Sequence, residues 1–178
     1  HLHIPLQSGS NRVLGLMRRP YNTRIYGSLV ERLSRAIPDL GLGADVIVGF
    51  PGETDADFEV TRALIKALPV SYLHVFSYSD RKGTEAARLP GHLPARTITE
   101  RSKALRRLGR EKSLAFRRRQ VGRTWEVLVL EGRDKSTGRL GGLTGNYVEI
   151  LFDGPDEWMG RFMKVSVTHA GYDRTLAE

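Results

Sequence analysis

The chain opens on an alternation. Leu2, Ile4 and Leu6 fall on one face and His1, His3 and Gln7 on the other, a period of two that predicts a strand. Residues 7–10 then read as a turn. From Thr23, a plausible N-cap by residue type, the period lengthens to a helix over 24–37 with Ile25, Leu29, Val30, Leu33 and Ile37 on its apolar side, stopped by Pro38. Residues 45–49, rich in Val and Ile, predict a second strand of the kind that is buried in parallel sheets. A turn over 49–53 follows. Thr54 with Asp57 three residues on caps a helix to about Leu68. Residues 72–78 predict a third strand.

Strand, helix, strand, helix, strand makes two βαβ units, so the sheet is expected to be parallel. The turns at 7–10, 49–53 and 79–84 all follow strands. They therefore belong to the carboxyl edge, where α/β proteins place their chemistry. Thr97 and Glu100 suggest a capping box for a long helix over 97–119, with a thin apolar stripe of Ile98, Leu105, Leu108 and Ala115. From Val121 the texture changes again. Trp125, Val127 and Val129 alternate with Glu126, Leu128 and Leu130. Glycine-rich and charged turns come next, and further strands are expected over 147–152 and 161–167. Short strands at this spacing predict a small antiparallel barrel.

Composition narrows the classes. Hydrophobic residues at 40% and charged residues at 27% exclude wholesale disorder. The absence of any run of about 18 apolar residues excludes a membrane-spanning helix. With no cysteine, disulfides, thiolate nucleophiles, zinc–thiolate sites and iron–sulfur clusters held by this chain alone are excluded. No secretory address is apparent, so a cytoplasmic location is expected. The chain does not begin with Met and its first strand starts at residue 1. We expect it to be a piece of something longer, with sheet strands missing on the N-terminal side.

The net charge of +8 is concentrated. Residues 96–123 hold 11 Lys/Arg against 2 Asp/Glu, whereas residues 124–178 hold 6 against 9. A field so localised attracts a polyanion. A merely solvated helix face is the alternative reading.

Site chemistry is less determined. His1 and His3 have a spacing that can hold a metal, but no further ligand joins them at recognisable spacing. Polar lining of a barrel interior is the expectation, with Asp45 and His74 as candidates for the same cavity and no metal site assigned. Ser8 lacks the surroundings of a serine nucleophile, and the 49–53 turn lacks the lysine of a phosphate-binding loop. Its glycines can let backbone approach a ligand, and Glu53 can accept from a hydroxyl or amine; a plain βα turn is equally compatible. Gln7, Ser8 and Ser10 suit a ribose or a carboxylate. Phe76 and Tyr78 can flank an adenine or pack in the core.

Together, His1-Leu2-His3-Ile4-Pro5-Leu6-Gln7-Ser8-Gly9-Ser10, Met17-Arg18-Arg19 with Tyr21, Asp45-Val46-Ile47-Val48-Gly49-Phe50-Pro51-Gly52-Glu53-Thr54 and His74-Val75-Phe76-Ser77-Tyr78-Ser79 resemble the rear half of a radical S-adenosylmethionine methylthiotransferase. Val121-Gly122-Arg123-Thr124, Gly142-Leu143-Thr144-Gly145-Asn146-Tyr147 and Gly160-Arg161 resemble its C-terminal TRAM domain, a small RNA-binding barrel. Within the family, Leu73-His74-Val75-Phe76 and the Arg-rich helix are most like the enzymes acting on threonylcarbamoyladenosine beside the tRNA anticodon. Isopentenyladenosine-specific and ribosomal-protein-modifying relatives are the alternatives.

The resemblance implies an α/β fold: a partial, TIM-like radical SAM barrel with parallel strands over 1–95, a basic linker helix over 96–120 and a TRAM barrel over 121–178. It implies S-adenosylmethionine and two [4Fe–4S] clusters as cofactors of the full-length parent, the cluster cysteines lying upstream. The piece in hand is then expected to be inactive. By the same likeness Gln7, Ser8 and Ser10 face the ribose and amino-acid end of S-adenosylmethionine, and Arg19 its carboxylate. Val48, Gly49, Phe50, Glu53, Phe76 and Tyr78 lie near its adenine. Arg106, Arg107, Arg110, Arg117, Arg118, Arg119, Arg123, Asn146 and Tyr147 would hold the anticodon stem-loop of tRNA. An electron donor is implied as a partner of the parent. Two rival readings remain: a non-catalytic RNA-binding module, and a nucleotide-binding α/β protein with no RNA role.

Overall fold

A computed structural model describes all 178 residues. It divides into two compact units, Leu2–Arg110, and Glu111–Glu178 together with His1.

The first unit is a three-stranded parallel sheet in the order β1 (Leu2–His3), β2 (Leu42–Val48), β3 (Tyr72–Ser77). Regular pairing of β1 ends at His3 because Pro5 has no N–H to donate. The chain nevertheless stays beside β2: Ile4 N–H donates to Gly43 at 2.9 Å, Leu6 N–H to Asp45 at 3.1 Å, and Gln7 bridges Val46. One face of the sheet is apolar. Leu6, Leu42, Ala44, Val46 and Val48 pack there against Tyr26 and Val30 of α2 (Thr23–Ala36), Phe58 and Ile65 of α3 (Asp55–Ala67), and Leu105 of α4 (Ala95–Arg118). The other face carries His3, Asp45, His74 and Phe76, half-buried or exposed.

Several details differ from the sequence expectations. A six-residue helix precedes α2, namely α1 (Asn11–Leu16), capped by Ser10; it is too short for periodicity to reveal. Asn22, not Thr23, caps α2, its Oδ1 accepting from Ile25 N–H at 2.9 Å. The buried face of α2 is turned accordingly. Tyr26, Gly27 and Val30 point inward, while Ile25 is 53% exposed and Ile37 43%. The Tyr26 hydroxyl, which donates to the Ile4 carbonyl at 2.8 Å, fixes that rotation. Helix α4 begins at Ala95, so the Thr97–Glu100 capping box does not form; Glu100 accepts from Arg96 instead. Ala115 is exposed, and Leu114 and Phe116 carry the buried stripe at that end.

The second unit is a closed barrel in the order β4 (Thr124–Arg133), β5 (Leu140–Thr144), β6 (Glu149–Phe152), β8 (Thr175–Ala177), β7 (Phe162–Ala170). Phe116 of α4 packs into its core with Val127, Val129, Leu140, Ile150, Phe152, Val165 and Val167. The expected antiparallel barrel is in fact mixed, because β8 returns parallel to β6 through the Leu151–Leu176 pair. Part of β5 forms where the glycines suggested only a turn. A Cβ at Gly142 would lie 2.6 Å from Val127 Cγ2 and 2.8 Å from Phe152 Cε1, so glycine there admits two core side chains. Closure pairs both ends of the barrel sheet and leaves no unpaired edge.

The capping box predicted for α3 is present: Thr54 N–H donates to Asp57 at 2.9 Å, and Asp57 N–H to Thr54 Oγ1 at 3.2 Å. Asp57 also accepts from Ser10 Oγ at 2.6 Å and pairs with Arg12, which ties α1 to α3. Burial alone would push this carboxyl up, but the hydrogen bonds from Arg12, Ser10 and Thr54 outweigh it and hold Asp57 well below the usual carboxylate range. The depressed pKa stabilises the fold above the unfolded-state value, and the effect fades as pH falls towards the folded-state value. Asp57→Asn is therefore expected to cost about 1.5–3 kcal/mol at neutral pH. Urea denaturation curves of variant and parent should converge in acid.

Candidate functional site

The 49–53 turn is built by its own side chains. Gly49 has φ +78°, and a Cβ there would lie 2.4 Å from Ile98 Cγ1, so only glycine lets α4 approach. Gly49 N–H donates to Glu53 Oε2 at 2.9 Å, and Glu53 N–H donates to Phe50 O at 2.9 Å. Glu53 is 4% exposed and forms an ion pair with Arg101, itself 6% exposed. The second arm of Arg101 donates to Asp55 Oδ1 at 2.6 Å, and its guanidinium lies 5.3 Å from the centre of the Phe58 ring. Burial pushes the Glu53 carboxyl up, and the Gly49 and Arg101 contacts only partly oppose it. Glu53 is thus engaged within the protein instead of being turned to a ligand. Arg101, counted by sequence among the polyanion-attracting charges, is a core cross-link.

The serines of the first turn are similarly committed. Ser8 Oγ lies 3.4 Å from Thr61 Oγ1, Ser10 donates to Asp57, and both serines are buried. Gln7 is buried with φ +66°, a conformation uncommon outside glycine, and turns the chain out of the β1 direction. Val48 belongs to the apolar core. Phe50 and Tyr78 meet edge to face at 5.4 Å, while Phe76 is 52% exposed on the uncovered face.

Arg19 and Phe50 do come together. With Met17, Arg18, Ile47 and Arg88 they line a groove of about 420 Å³. That volume is within the range of small-molecule sites, and its walls combine apolar surface with guanidinium groups and with Glu85, which pairs with Arg18 at 2.6 Å.

The uncovered face gathers residues that spacing did not connect. Asp45 pairs with His74 in the β2–β3 register, and His3 stands beside them on β1. The sequence reading found no third partner for a histidine pair; His3, Asp45 and His74 supply one, without His1. Separations of 42 and 29 positions hide this from any spacing rule, and only the parallel register brings the three together.

The basic residues separate into two kinds. Arg106, Arg107 and Arg110 line a shallow groove of about 510 Å³ on α4 with Lys103 and Glu100; helical spacing places the four cations on one side, and Arg106 also donates to Val75 O at 3.3 Å. Arg117 differs: its guanidinium donates to Tyr172 O at 3.0 Å and reaches Thr175 Oγ1 at 3.4 Å, bracing the barrel. Arg118 is exposed, Arg119 lies over the Phe116 ring at 5.1 Å, and Arg123 lies over Trp125 at 5.7 Å. Asn146, expected at an RNA surface, is 6% exposed, and its Oδ1 accepts from Thr144 Oγ1 at 2.5 Å. Tyr147 is 57% exposed. Phe162 at 67% and Tyr172 at 59% are exposed aromatics that the sequence reading missed. The outward register of β7 was the available signal for Phe162.

Two family models match the chain: the Radical SAM superfamily over residues 1–65 and the TRAM domain over residues 118–171. A tRNA-2-methylthio-N(6)-dimethylallyladenosine synthase of Moorella thermoacetica is 45% identical over 171 residues, covering 96% of this chain and 38% of that protein. The chain belongs to the radical SAM methylthiotransferase family. A threonylcarbamoyladenosine tRNA methylthiotransferase of Bacillus subtilis is 37% identical over 174 residues, 97% of this chain and 39% of that protein. A Streptomyces coelicolor protein with the dimethylallyladenosine name is 39% identical over 182 residues, 99% and 36%. The chain thus spans less than two-fifths of the length of these relatives. Iron–sulfur clusters, implied by the family, do not fit the residues present, since these 178 positions contain no cysteine.

Removing one partner of a buried pair leaves the other charged and uncompensated. Arg101→Met is expected to destabilise the first unit by about 3–5 kcal/mol. The loss should be largest at high pH and shrink as pH falls through the raised Glu53 pKa, where the orphaned carboxyl can take up a proton. Combining it with Glu53→Gln should recover part of the loss. Chemical denaturation at several pH values measures each effect.

Proposed function

We propose that this chain is the rear of the cofactor-holding barrel and the RNA grip of an enzyme that adds a methylthio group to carbon 2 of an N6-modified adenosine in tRNA. The observation that carries the reading is the joint occurrence of both parts in one chain. One is a parallel sheet with a polar, uncovered face and an adjoining Arg-lined groove; the other is a TRAM barrel with exposed aromatics. S-adenosylmethionine supplies the methyl group and the radical initiator in this chemistry; the protein positions and shields it.

On this reading Arg19 holds the carboxylate of S-adenosylmethionine, and Phe50, with Tyr78 behind it, flanks the adenine. Gln7, Ser8, Ser10, Val48 and Glu53, whose side chains are buried, act through backbone shape, as does Gly49. Phe76 projects from the uncovered face and is open to contact with an entering ligand. Lys103, Arg106, Arg107 and Arg110 contact phosphates from α4. Arg118, Arg119 and Arg123 add positive charge beside the barrel, and Tyr147, Phe162 and Tyr172 offer stacking surfaces to unpaired bases of the anticodon stem-loop.

The N6 substituent divides two readings. The threonylcarbamoyl group is favoured by Leu73-His74-Val75-Phe76 and by the Bacillus subtilis relative. The dimethylallyl group is favoured by the higher identity to the Moorella thermoacetica relative. Assaying the cluster-bearing parent on anticodon stem-loops carrying each group decides between them. The parent works in the cytoplasm and draws on an electron donor there. The chain alone is inactive, since it has no thiolate to hold a cluster. Reconstitution with iron and sulfide is expected to give no visible charge-transfer band, and a stoichiometric cluster would overturn this.

Filter binding of tRNA at graded salt tests the grip. Serine at positions 106, 107 and 110 together should lower affinity and make the log K against log salt slope shallower by roughly 2–3. Arg117→Ser should leave the slope in place and lower the melting temperature of the barrel. An unchanged slope in the triple variant removes the α4 groove from the RNA interface.

A further inference from the structure

We propose that His3, Asp45 and His74 form a binding site for one divalent first-row transition-metal ion on the uncovered face of the parallel sheet. The three side chains come from three adjacent strands. Asp45 Oδ1 lies 2.7 Å from His3 Nε2 and 3.4 Å from His74 Nδ1, and the three ligand atoms are all within 4.8 Å of one another. Two imidazoles and one carboxylate are the donor set that suits zinc or ferrous iron with positions left open for exchangeable ligands.

The geometry is close to what an ion requires. Ligand atoms about 2.0–2.1 Å from a tetrahedral ion stand roughly 3.3 Å apart. The Asp45–His74 separation already meets this, and the Asp45–His3 contact opens by roughly 0.6 Å, within reach of a carboxylate rotation. The third separation, between His3 and His74, is within 4.8 Å and closes through the two side chains, since pairing holds the strands.

The surroundings orient the ligands. Tyr72 Oη lies 3.2 Å from His3 Nδ1. Without an ion the 2.7 Å contact needs a proton on Nε2, donated to Asp45; an ion takes that proton's place, and with the proton then on Nδ1 His3 donates to the Tyr72 hydroxyl, an outer-sphere contact that fixes the ring. Space for that contact depends on Gly43: a Cβ there would lie 2.3 Å from the Tyr72 hydroxyl and 2.6 Å from His3 Nδ1. The His3 and His74 rings stack at 5.0 Å, which limits ring rotation. Side-chain exposure of 27% for His3, 21% for Asp45 and 56% for His74 leaves the ion accessible from the open side of the face. An Asp–His hydrogen bond that merely lines the face is the competing account, and it predicts no stoichiometric binding.

This proposal stands on the sheet alone and does not depend on the methylthiotransferase reading. The untagged, chelator-treated 178-residue chain is titrated with Co²⁺, followed by its visible d–d absorption, and with Zn²⁺ by calorimetry. One ion per chain is expected, with Zn²⁺ displacing Co²⁺ and raising the melting temperature as its concentration rises. His74→Ala changes an exposed side chain and should fold normally, yet abolish the Co²⁺ spectrum; Asp45→Asn should do the same. Tyr72→Phe should keep the stoichiometry and weaken affinity by about tenfold or more. Substituting His1, His92 and His169 together should leave binding unchanged. Absence of stoichiometric binding overturns the proposal, as does a Co²⁺ spectrum that survives both His74→Ala and Asp45→Asn or is lost with the three other histidines.

Discussion

The parallel pairing of β1, β2 and β3 is the constraint from which the first unit follows. Parallel neighbours require crossovers, and the packed crossover helices supply the apolar cover for one face. Leu42, Ala44, Val46 and Val48 can therefore be uniformly buried, while the alternate positions of β2, Asp45 and Ile47, are left at the half-covered face. The same pairing brings the turn after β2 against α4, and sets Asp45 beside His74 and close to His3. Shifting β2 by one residue would exchange the two faces. It would bury Asp45 without its partners and expose Val46, so the register is specified by the core and the polar face inherits it.

Arginine performs two unrelated tasks in this chain, and net charge does not separate them. Arg101 lies within the most basic stretch, yet it is more buried than most leucines of the protein and joins α4 to the turn after β2 through Glu53 and Asp55. Arg117 turns back to the loop and strand that close the barrel. Arg106, Arg107 and Arg110, turned away from Leu105 on the same helix, are among the exposed ones. A helix needs cations on its solvent face to meet a polyanion and on its inner face to meet buried carboxylates. Composition records only their sum.

Legibility from sequence followed physical range. The strands β2, β3 and β4, helix α3 and its capping box were readable because their signals lie within a few residues. The parallel sheet followed from order alone. Helix α1 escaped because six residues do not establish a period. Part of β5 escaped because Gly141 and Gly142 imitate a turn until Val127 and Phe152 are seen to need their space. The rotation of α2 turned on one long-range hydrogen bond, Tyr26 to Ile4. The inward placement of several candidate site residues was hidden for the same reason. Ser8, Ser10, Glu53 and Asn146 have the right chemistry for ligands, but polar groups that fold inward find partners first, and burial without a partner is costly. What sequence type offers, tertiary context had already used.

The two units also solve the edge problem differently, and this bears on where each can bind. The barrel pairs both ends of its sheet, so no strand backbone is left to recruit a partner, and what it exposes is side chains such as Tyr147, Phe162 and Tyr172. The parallel sheet ends at β1 on one side and β3 on the other, and its uncovered face is polar and aromatic apart from Ile47. An aliphatic surface there would favour non-specific association. A row of His3, Asp45, His74 and Phe76 instead keeps the face hydrated while placing donors and rings on rigid strands. That combination costs core area and contributes little to stability, and departures of this kind concentrate at functional sites.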